Sequence, residues 1–495
     1  MLSSRLPKDL SPSPFFAELE RAKANVLAEC AGANTLPFID MTVSSPVKAG
    51  LPIDLNAAVE EGRESFGCWN PDAAGWKSAR EAVVEYYRER GGNFDAGQII
   101  LTASTSEAYS VLFKAFCDPG DVILTPMPGY PLLDTLAQLE HLECSPYFLK
   151  LKRETSSLEP RTSSLSNRET TSTLSMRRAH DDRGSAMSTQ ACSLHSPCTS
   201  LRDRRSKQSK ESSFRFVLDS DSLLAAPEKA KILLLVSPHN PTGHCISREE
   251  WNEAVRFCEE NHLILVVDEV FGDYAFSDKV SRTWQYVFNK NVIARNEATK
   301  QSLSNAVQEI ASSAVHSRND NPVIDDCGKT DGPKCPIFWL NGLSKTVGSP
   351  QLKLGWMAFY APRDQFEPIR AALEFVEDAY LSVSAPAQAL ARPLLANSAV
   401  YEARVKERLL ANWKTLREAF PAKYCPEVLG GWYAVIRLGD DDEELTLRLL
   451  REKHVLVQPG FFFDFDEDGW VVVSLLAPPE QFKEAVSRMQ VLDRS

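Results

Sequence analysis

An amide, a carboxylate and an amine stand out in this chain because each follows a short apolar run. In "LLLVSPHNPTG" Asn240 comes just after the run 231–236. The run 263–267 ends at Asp268, and the run 337–340 leads through Asn341, Gly342, Leu343 and Ser344 to Lys345. Short apolar runs bounded by turn residues fit strands buried on both faces of a mostly parallel sheet. In such a sheet the carboxyl ends of the strands share one rim, where ligands bind. Taken singly, each of the three is more simply a loop residue. Together and in this order they describe a site: an amine that can attack a carbonyl, a carboxylate that can hold a cation, and an amide that can donate to an anion.

A fourth group lies nearer the start. Ser104 and Glu107 have the spacing of a capping box before a helix expected over 106–117. Its Ala108, Val111, Leu112, Ala115 and Phe116 form one apolar stripe, and Asp118-Pro119-Gly120 stops it. A hydroxyl-rich helix start just after a strand suits a phosphate, although capping alone explains it. His239 and His244 flank Asn240 and read as loop polar residues. The eight histidines show no metal-ligand spacing, so no metal is expected.

The elements that must position these groups read as an α/β enzyme body. Further apolar runs lie at 98–101, 122–124 and 357–360, with helical stretches such as 248–261 between them. From about residue 363 onward, helical stretches alternate with strands at 432–436 and 470–475, an α/β or α+β layer. Two stretches differ from this body. Residues 153–212 are dense in Ser, Thr and Arg, and 287–334 are polar without periodicity. Both read as disordered inserts. Inside the second, "NVIARNEATKQSL" resembles translated repetitive DNA inserted in some bacterial genes; a regulatory or partner-binding loop is the alternative.

Composition excludes several classes. A net charge of -12 argues against a nucleic acid or an anionic membrane as partner. No apolar run is long enough to span a bilayer, and residues 1–23 mix charge and proline unlike a signal peptide. The 11 cysteines include no C-x-x-C pair, which speaks against a zinc site or a disulfide framework. The expectation is a cytoplasmic protein.

The segments "SPHNPTG", "VVDEVFGDYAF", "GLSKTVGSPQLKLGW", "TASTSEA" and "PMPGYP" resemble the motifs of the class I/II aminotransferases, the fold-type-I pyridoxal-phosphate enzymes. "PQLKLGW" is similar to a bacterial branch of that family. The resemblance covers nearly the whole chain outside the two inserts. It implies a large domain, 46–359, on a mostly parallel seven-stranded sheet, and a smaller α/β domain from 1–45 and 360–495. It also implies a homodimer with sites at the subunit boundary, and pyridoxal 5'-phosphate as cofactor.

Residue by residue, the resemblance implies that Lys345 holds the cofactor aldehyde covalently and shuttles the proton. Asp268 would pair with the ring nitrogen, Asn240 would donate to the phenolate oxygen, and Tyr130 would lie over the ring face. Ser104 and Thr105 would cradle the phosphate, and Lys353 stands where the family has a phosphate-binding arginine. Core packing for Tyr130 and a solvated strand edge for Lys353 remain the simpler alternatives.

Some positions depart from the pattern. Lys353 loses the bidentate fork of arginine. Phe271 replaces a tyrosine that donates to the phenolate oxygen, and Trp69 replaces a neighbouring-subunit tyrosine that reaches the phosphate. Val472, in "GWVVVSLL", aligns with the family's carboxylate-binding arginine. The Asn240 amide and main-chain N–H groups near Ser44 are then expected to take over part of the substrate carboxylate contact, with a basic residue from elsewhere to complete it. The function implied is amino-group transfer between an amino donor and a 2-oxo acid. The alternatives are a β-eliminating lyase and a catalytically impaired cofactor-binding protein.

Overall fold

In the computed structural model of the chain, the most continuously apolar runs become the central strands of one large sheet. The structure describes residues 3, 5–7, 11, 13–31, 36–154, 213–288 and 332–491. The two expected inserts lie outside the described residues apart from their flanks. In chain order the strands are β1 (Ile39–Asp40), β2 (Ile99–Thr102), β3 (Val122–Met127), β4 (Glu143–Glu154), β5 (Ser213–Leu218), β6 (Ala230–Val236) and β7 (Ile264–Asp268). They continue with β8 (Ile337–Gly342), β9 (Gly355–Tyr360), β10 (Tyr433–Arg437), β11 (Val455–Leu456), β12 (Gln458–Pro459) and β13 (Trp470–Ser474).

The large sheet runs β2-β9-β8-β7-β6-β3-β4-β5. Strands β8, β7, β6, β3 and β4 are mutually parallel, while β9 is antiparallel to both of its neighbours. The sheet is mostly parallel, as read from the sequence, but it has eight strands where the family resemblance implied seven. The additional strand is β5 at the edge, which buries Phe216 and Leu218 on alternate positions.

Alternation along each central strand sends side chains to two cores. Leu233, Leu235, Leu265, Val267, Ile337 and Trp339 pack on one face; Ile232, Leu234, Val266, Phe338 and Leu340 pack on the other. Full burial of such a side chain is worth about 1.5–3 kcal/mol, so register is firmly set. The helices Lys77–Glu89 and Arg248–Asn261 cover the first face, and Thr105–Phe116 and Arg363–Asp378 cover the second. One consequence matters for function. Val236, Asp268 and Leu340 fall in one row across β6, β7 and β8, so the chemistry-bearing ends share the same edge.

Toward the C-terminus, β10, β13 and β12 form a separate antiparallel sheet. Strand β1 pairs in parallel with β11, tying the early chain to the late chain. Among the described residues no helix is long and apolar enough to cross a membrane.

Candidate active site

Asp268 is the last residue of β7, and its main-chain oxygen accepts the Ser237 N–H at 2.9 Å. Its side chain is anchored at both oxygens. Oδ1 accepts the Val270 N–H at 3.0 Å, and Oδ2 accepts the Tyr109 hydroxyl at 2.6 Å. Burial pushes the Asp268 carboxyl above its ordinary value, against the pull of Tyr109, the Val270 N–H and Lys345. The turn after β7 is braced by buried charges. Glu269 accepts from Arg282 Nε at 2.8 Å and from the Thr283 N–H and hydroxyl, while Asp273 accepts from Arg282 and Tyr86. This network reaches the next strand, because Asn341 Nδ2 donates to the Tyr86 hydroxyl at 3.2 Å.

Strand β8 delivers Lys345 in the short helical turn Leu343–Thr346. The Tyr274 hydroxyl holds the Lys345 carbonyl at 2.7 Å. The amine lies 4.9 Å from the Trp432 ring centre and 5.5 Å from that of Phe271. Those rings supply no proton acceptor, and burial lowers the amine to about 8 while Asp268 works the other way. An amine so placed is partly neutral near physiological pH and can attack a carbonyl.

Strand β2 leads to Ser104, the N-cap of the helix Thr105–Phe116. Ser104 Oγ accepts the Glu107 N–H at 3.1 Å, as the spacing predicts. The return bond differs: Glu107 Oε2 takes the Ala103 N–H at 2.5 Å and the Ser382 hydroxyl at 2.6 Å. The free N–H groups of this helix start and the hydroxyls beside them offer donors to an anion. Crowding brings the strands close here. A Cβ on Gly355 would stand 3.1 Å from the Ser104 carbonyl carbon, and one on Gly342 would stand 2.9 Å from Gly355 Cα. Lys353 is exposed and adopts φ +53° just before β9.

Asn240 follows β6, and its Oδ1 is enclosed without a hydrogen-bond partner among the described residues. His239 and His244 are loop residues, as read, but both are buried. His239 Nδ1 meets Thr242 Oγ1 at 2.9 Å, and burial and the neighbouring His244 push its ring down to about 3. His244 Nε2 lies 3.0 Å from Glu250.

Ser104, Thr105, Tyr130, Asn240, Asp268, Lys345 and Lys353 all line one cavity of about 330 Å³. Tyr130 is 47% exposed and turned to this space, so it is not a core residue. Ser44 and Phe271 also line it. Tyr109 and Tyr433 do too, and sequence reasoning missed both. Val472 is fully buried, directly across from Val435 on β10, and does not line the cavity. Residues two apart on a strand share a face, so Val472 and Ser474 lie on the face that carries Tyr433. It is Tyr433, hydrogen-bonded to Ser44, that meets the cavity there. Trp69, aligned with a residue of the neighbouring subunit, lies outside the cavity of its own chain. It is 81% exposed and lines a separate small cleft with Asp72 and Glu377.

Residues 54–159 and 201–489 match the family described as aminotransferase class I and II. Alanine aminotransferase of Mycobacterium tuberculosis is 22% identical over 437 residues, covering 84% of this chain and 76% of that protein. A glutamate-pyruvate aminotransferase of Haemophilus influenzae is 20% identical over 434 residues, covering 84% and 81%. Among solved structures, alanine aminotransferase from Pyrococcus furiosus superposes with a TM-score of 0.66 at 18% identity, covering 100% of each chain.

Proposed function

The chain belongs to the class I and II aminotransferases, and from that premise we propose how its own residues carry the reaction. Members of this family move an amino group between an amino donor and a 2-oxo acid with pyridoxal 5'-phosphate. When bound, the cofactor supplies a carbonyl that takes up the amino group and a ring that draws electrons away from the substrate Cα.

The donor set fits such a group. A phosphate needs N–H and hydroxyl donors with a cation, which Ser104, Thr105, their helix start and Lys353 offer. A protonated ring nitrogen needs a fixed carboxylate, and Asp268 is held at both oxygens. A phenolate oxygen needs a donor, and the Asn240 amide lines the same cavity. An aldehyde needs an amine that is partly neutral, and the Lys345 amine is lowered to about 8.

In this reading Lys345 would hold the cofactor, give way to the incoming amine, and then accept the proton from the substrate Cα and deliver it to the former aldehyde carbon on the other side of the nitrogen. Asp268 would keep the ring nitrogen protonated. Tyr130 would cover one ring face. Phe271 would add no donor at the phenolate oxygen, leaving that contact to Asn240. The substrate carboxylate falls to the Asn240 amide, the main-chain N–H groups near Ser44 and the Tyr433 hydroxyl. A neutral set compensates a desolvated carboxylate less than an arginine does, which makes side-chain contacts matter more for affinity.

Residues 46–359 serve as the cofactor domain, and 1–45 with 360–495 as the smaller one; the β1–β11 pairing of early and late chain supports this. The working form is a homodimer, supported by the exposed Trp69, Phe375 and Tyr380 side chains. A cytoplasmic setting, with no nucleic-acid or membrane partner, accords with the net charge of -12.

The observation that carries this reading is the meeting of a low-pKa lysine, a doubly anchored aspartate and a hydroxylated helix start in one cavity. Its test is to mix cofactor-loaded protein with a panel of amino acids and follow the absorbance. Conversion to the amine form of the cofactor, reversed by a 2-oxo acid, is expected. Released pyruvate and ammonia would make the protein a β-eliminating lyase, and an unchanged spectrum would make it a binding protein.

A further inference from the structure

Tyr109 sits inside the apolar face of the Thr105–Phe116 helix, where the sequence marks only core. It is 3% exposed, and its ring lies 6.2 Å from Phe113. A phenylalanine would satisfy that packing. The hydroxyl instead reaches across to β7 and donates to Asp268 Oδ2 at 2.6 Å. The other oxygen of Asp268 is taken by a main-chain N–H, so Tyr109 is the one side chain among the described residues that donates a hydrogen bond to this carboxylate. A second relation follows from helix geometry. Thr105 and Tyr109 are four residues apart, and residues at that spacing lie above one another on the same face. The start of this helix offers the anion donors, and its next turn grips Asp268.

We propose that Tyr109 is a positioning residue for the cofactor: it fixes the Asp268 carboxylate in register with the phosphate cradle of its own helix. This inference rests on the pyridoxal-phosphate reading of the cavity and adds a residue to it. Without the hydroxyl, Asp268 keeps only the Val270 N–H, and its χ torsions are freed. The carboxylate also loses a donor that favours its ionised form. Lys345, which works in the same direction, and Glu269, which opposes it, are the charged groups that remain around Asp268. Two properties should then change. Asp268 should hold its proton to higher pH in the cofactor-free protein. The bound cofactor should escape faster, by about tenfold, the effect of a hydrogen bond to a charged group.

The test uses the full chain with Tyr109→Phe, which keeps the ring and removes only the hydroxyl. Carbon-13 NMR of the Asp268 carboxyl in the cofactor-free protein gives its titration midpoint, and loss of the bound absorbance on dilution gives the cofactor off-rate. The expected result is a raised midpoint and about tenfold faster release, while thermal stability of the cofactor-free protein shows that the core is intact. Tyr109→Leu, which loses ring and hydroxyl together, should release the cofactor no more slowly than Tyr109→Phe. An unchanged Asp268 midpoint and off-rate in Tyr109→Phe would make Tyr109 a packing residue and overturn the proposal. Wild-type protein that shows no Lys345-dependent absorbance with the cofactor would overturn the functional reading itself, a separate outcome visible before any variant is made.

Discussion

The Lys345 amine offers the sharpest chemical prediction. Its surroundings lower it from 10.5 to about 8, with burial as the larger cause and the Asp268 carboxylate opposing. At pH 7 an ordinary lysine is neutral roughly three times in ten thousand, and one with a midpoint near 8 about one time in ten, a gain of about 300-fold in reactive amine. The same shift corresponds to about 3 kcal/mol of selective destabilisation of the charged form. Changing Asp268 to Asn removes the opposing charge while keeping the size, so the Lys345 midpoint should fall further. The assay needs no cofactor: trace acetylation of the cofactor-free protein across pH 6 to 11, with peptide mass spectrometry reporting each lysine. We expect Lys345 to label with a midpoint near 8, far below the exposed lysines of the same sample, and lower still in Asp268→Asn. A Lys345 midpoint equal to that of exposed lysines, or an upward move in Asp268→Asn, would refute the electrostatic account of the site.

Two other perturbations probe the site and its supports. Glu377 is 2% exposed with an unpartnered Oε1, and burial beside Glu107 pushes it up to about 8. A carboxyl raised in the folded state binds its proton more tightly there, so stability falls as pH rises from about 4.5 to 8 and the cost is complete above that. Glu377→Gln should therefore stabilise the protein by up to about 5 kcal/mol at pH 9 and by little at pH 4.5, as read by urea unfolding; a pH-independent difference would speak against it. Val472→Arg should lower stability and leave apparent affinity for alanine no tighter, because a fully buried position that does not line the cavity must accept a guanidinium. Tighter affinity for alanine in a folded Val472→Arg protein would show that this position does reach the substrate carboxylate.

Much of this site was legible from the chain alone because strand ends and chemistry coincide. Lys345, Asp268 and Asn240 each follow a run whose burial is obvious from composition, and the parallel arrangement does the rest. The central strands were equally plain, since a strand buried on both faces leaves no polar residue to confuse it. The missed features have a different origin. β4 contains Pro146 and the charged Lys150 and Lys152, and β5 is short and directly follows the Ser- and Arg-rich stretch, so neither reads as a buried run. Tyr109 sits among Ala108, Val111 and Leu112, and nothing in that pattern distinguishes a packing ring from one whose hydroxyl reaches another strand. Tyr433 was hidden for a related reason: which residue of the β10–β13 pair meets the cavity depends on how the small sheet docks, and Val472 alone gives no sign of it.

The central claim is that Lys345 is the amine through which this aminotransferase works. Its most direct test is a single turnover with nitrogen-15 amino donor and an unlabelled 2-oxo acid, comparing wild type with Lys345→Ala, both loaded with cofactor. The account predicts that label appears in the new amino acid with wild type and that turnover is abolished in Lys345→Ala. Label transfer by Lys345→Ala at the wild-type rate would contradict it.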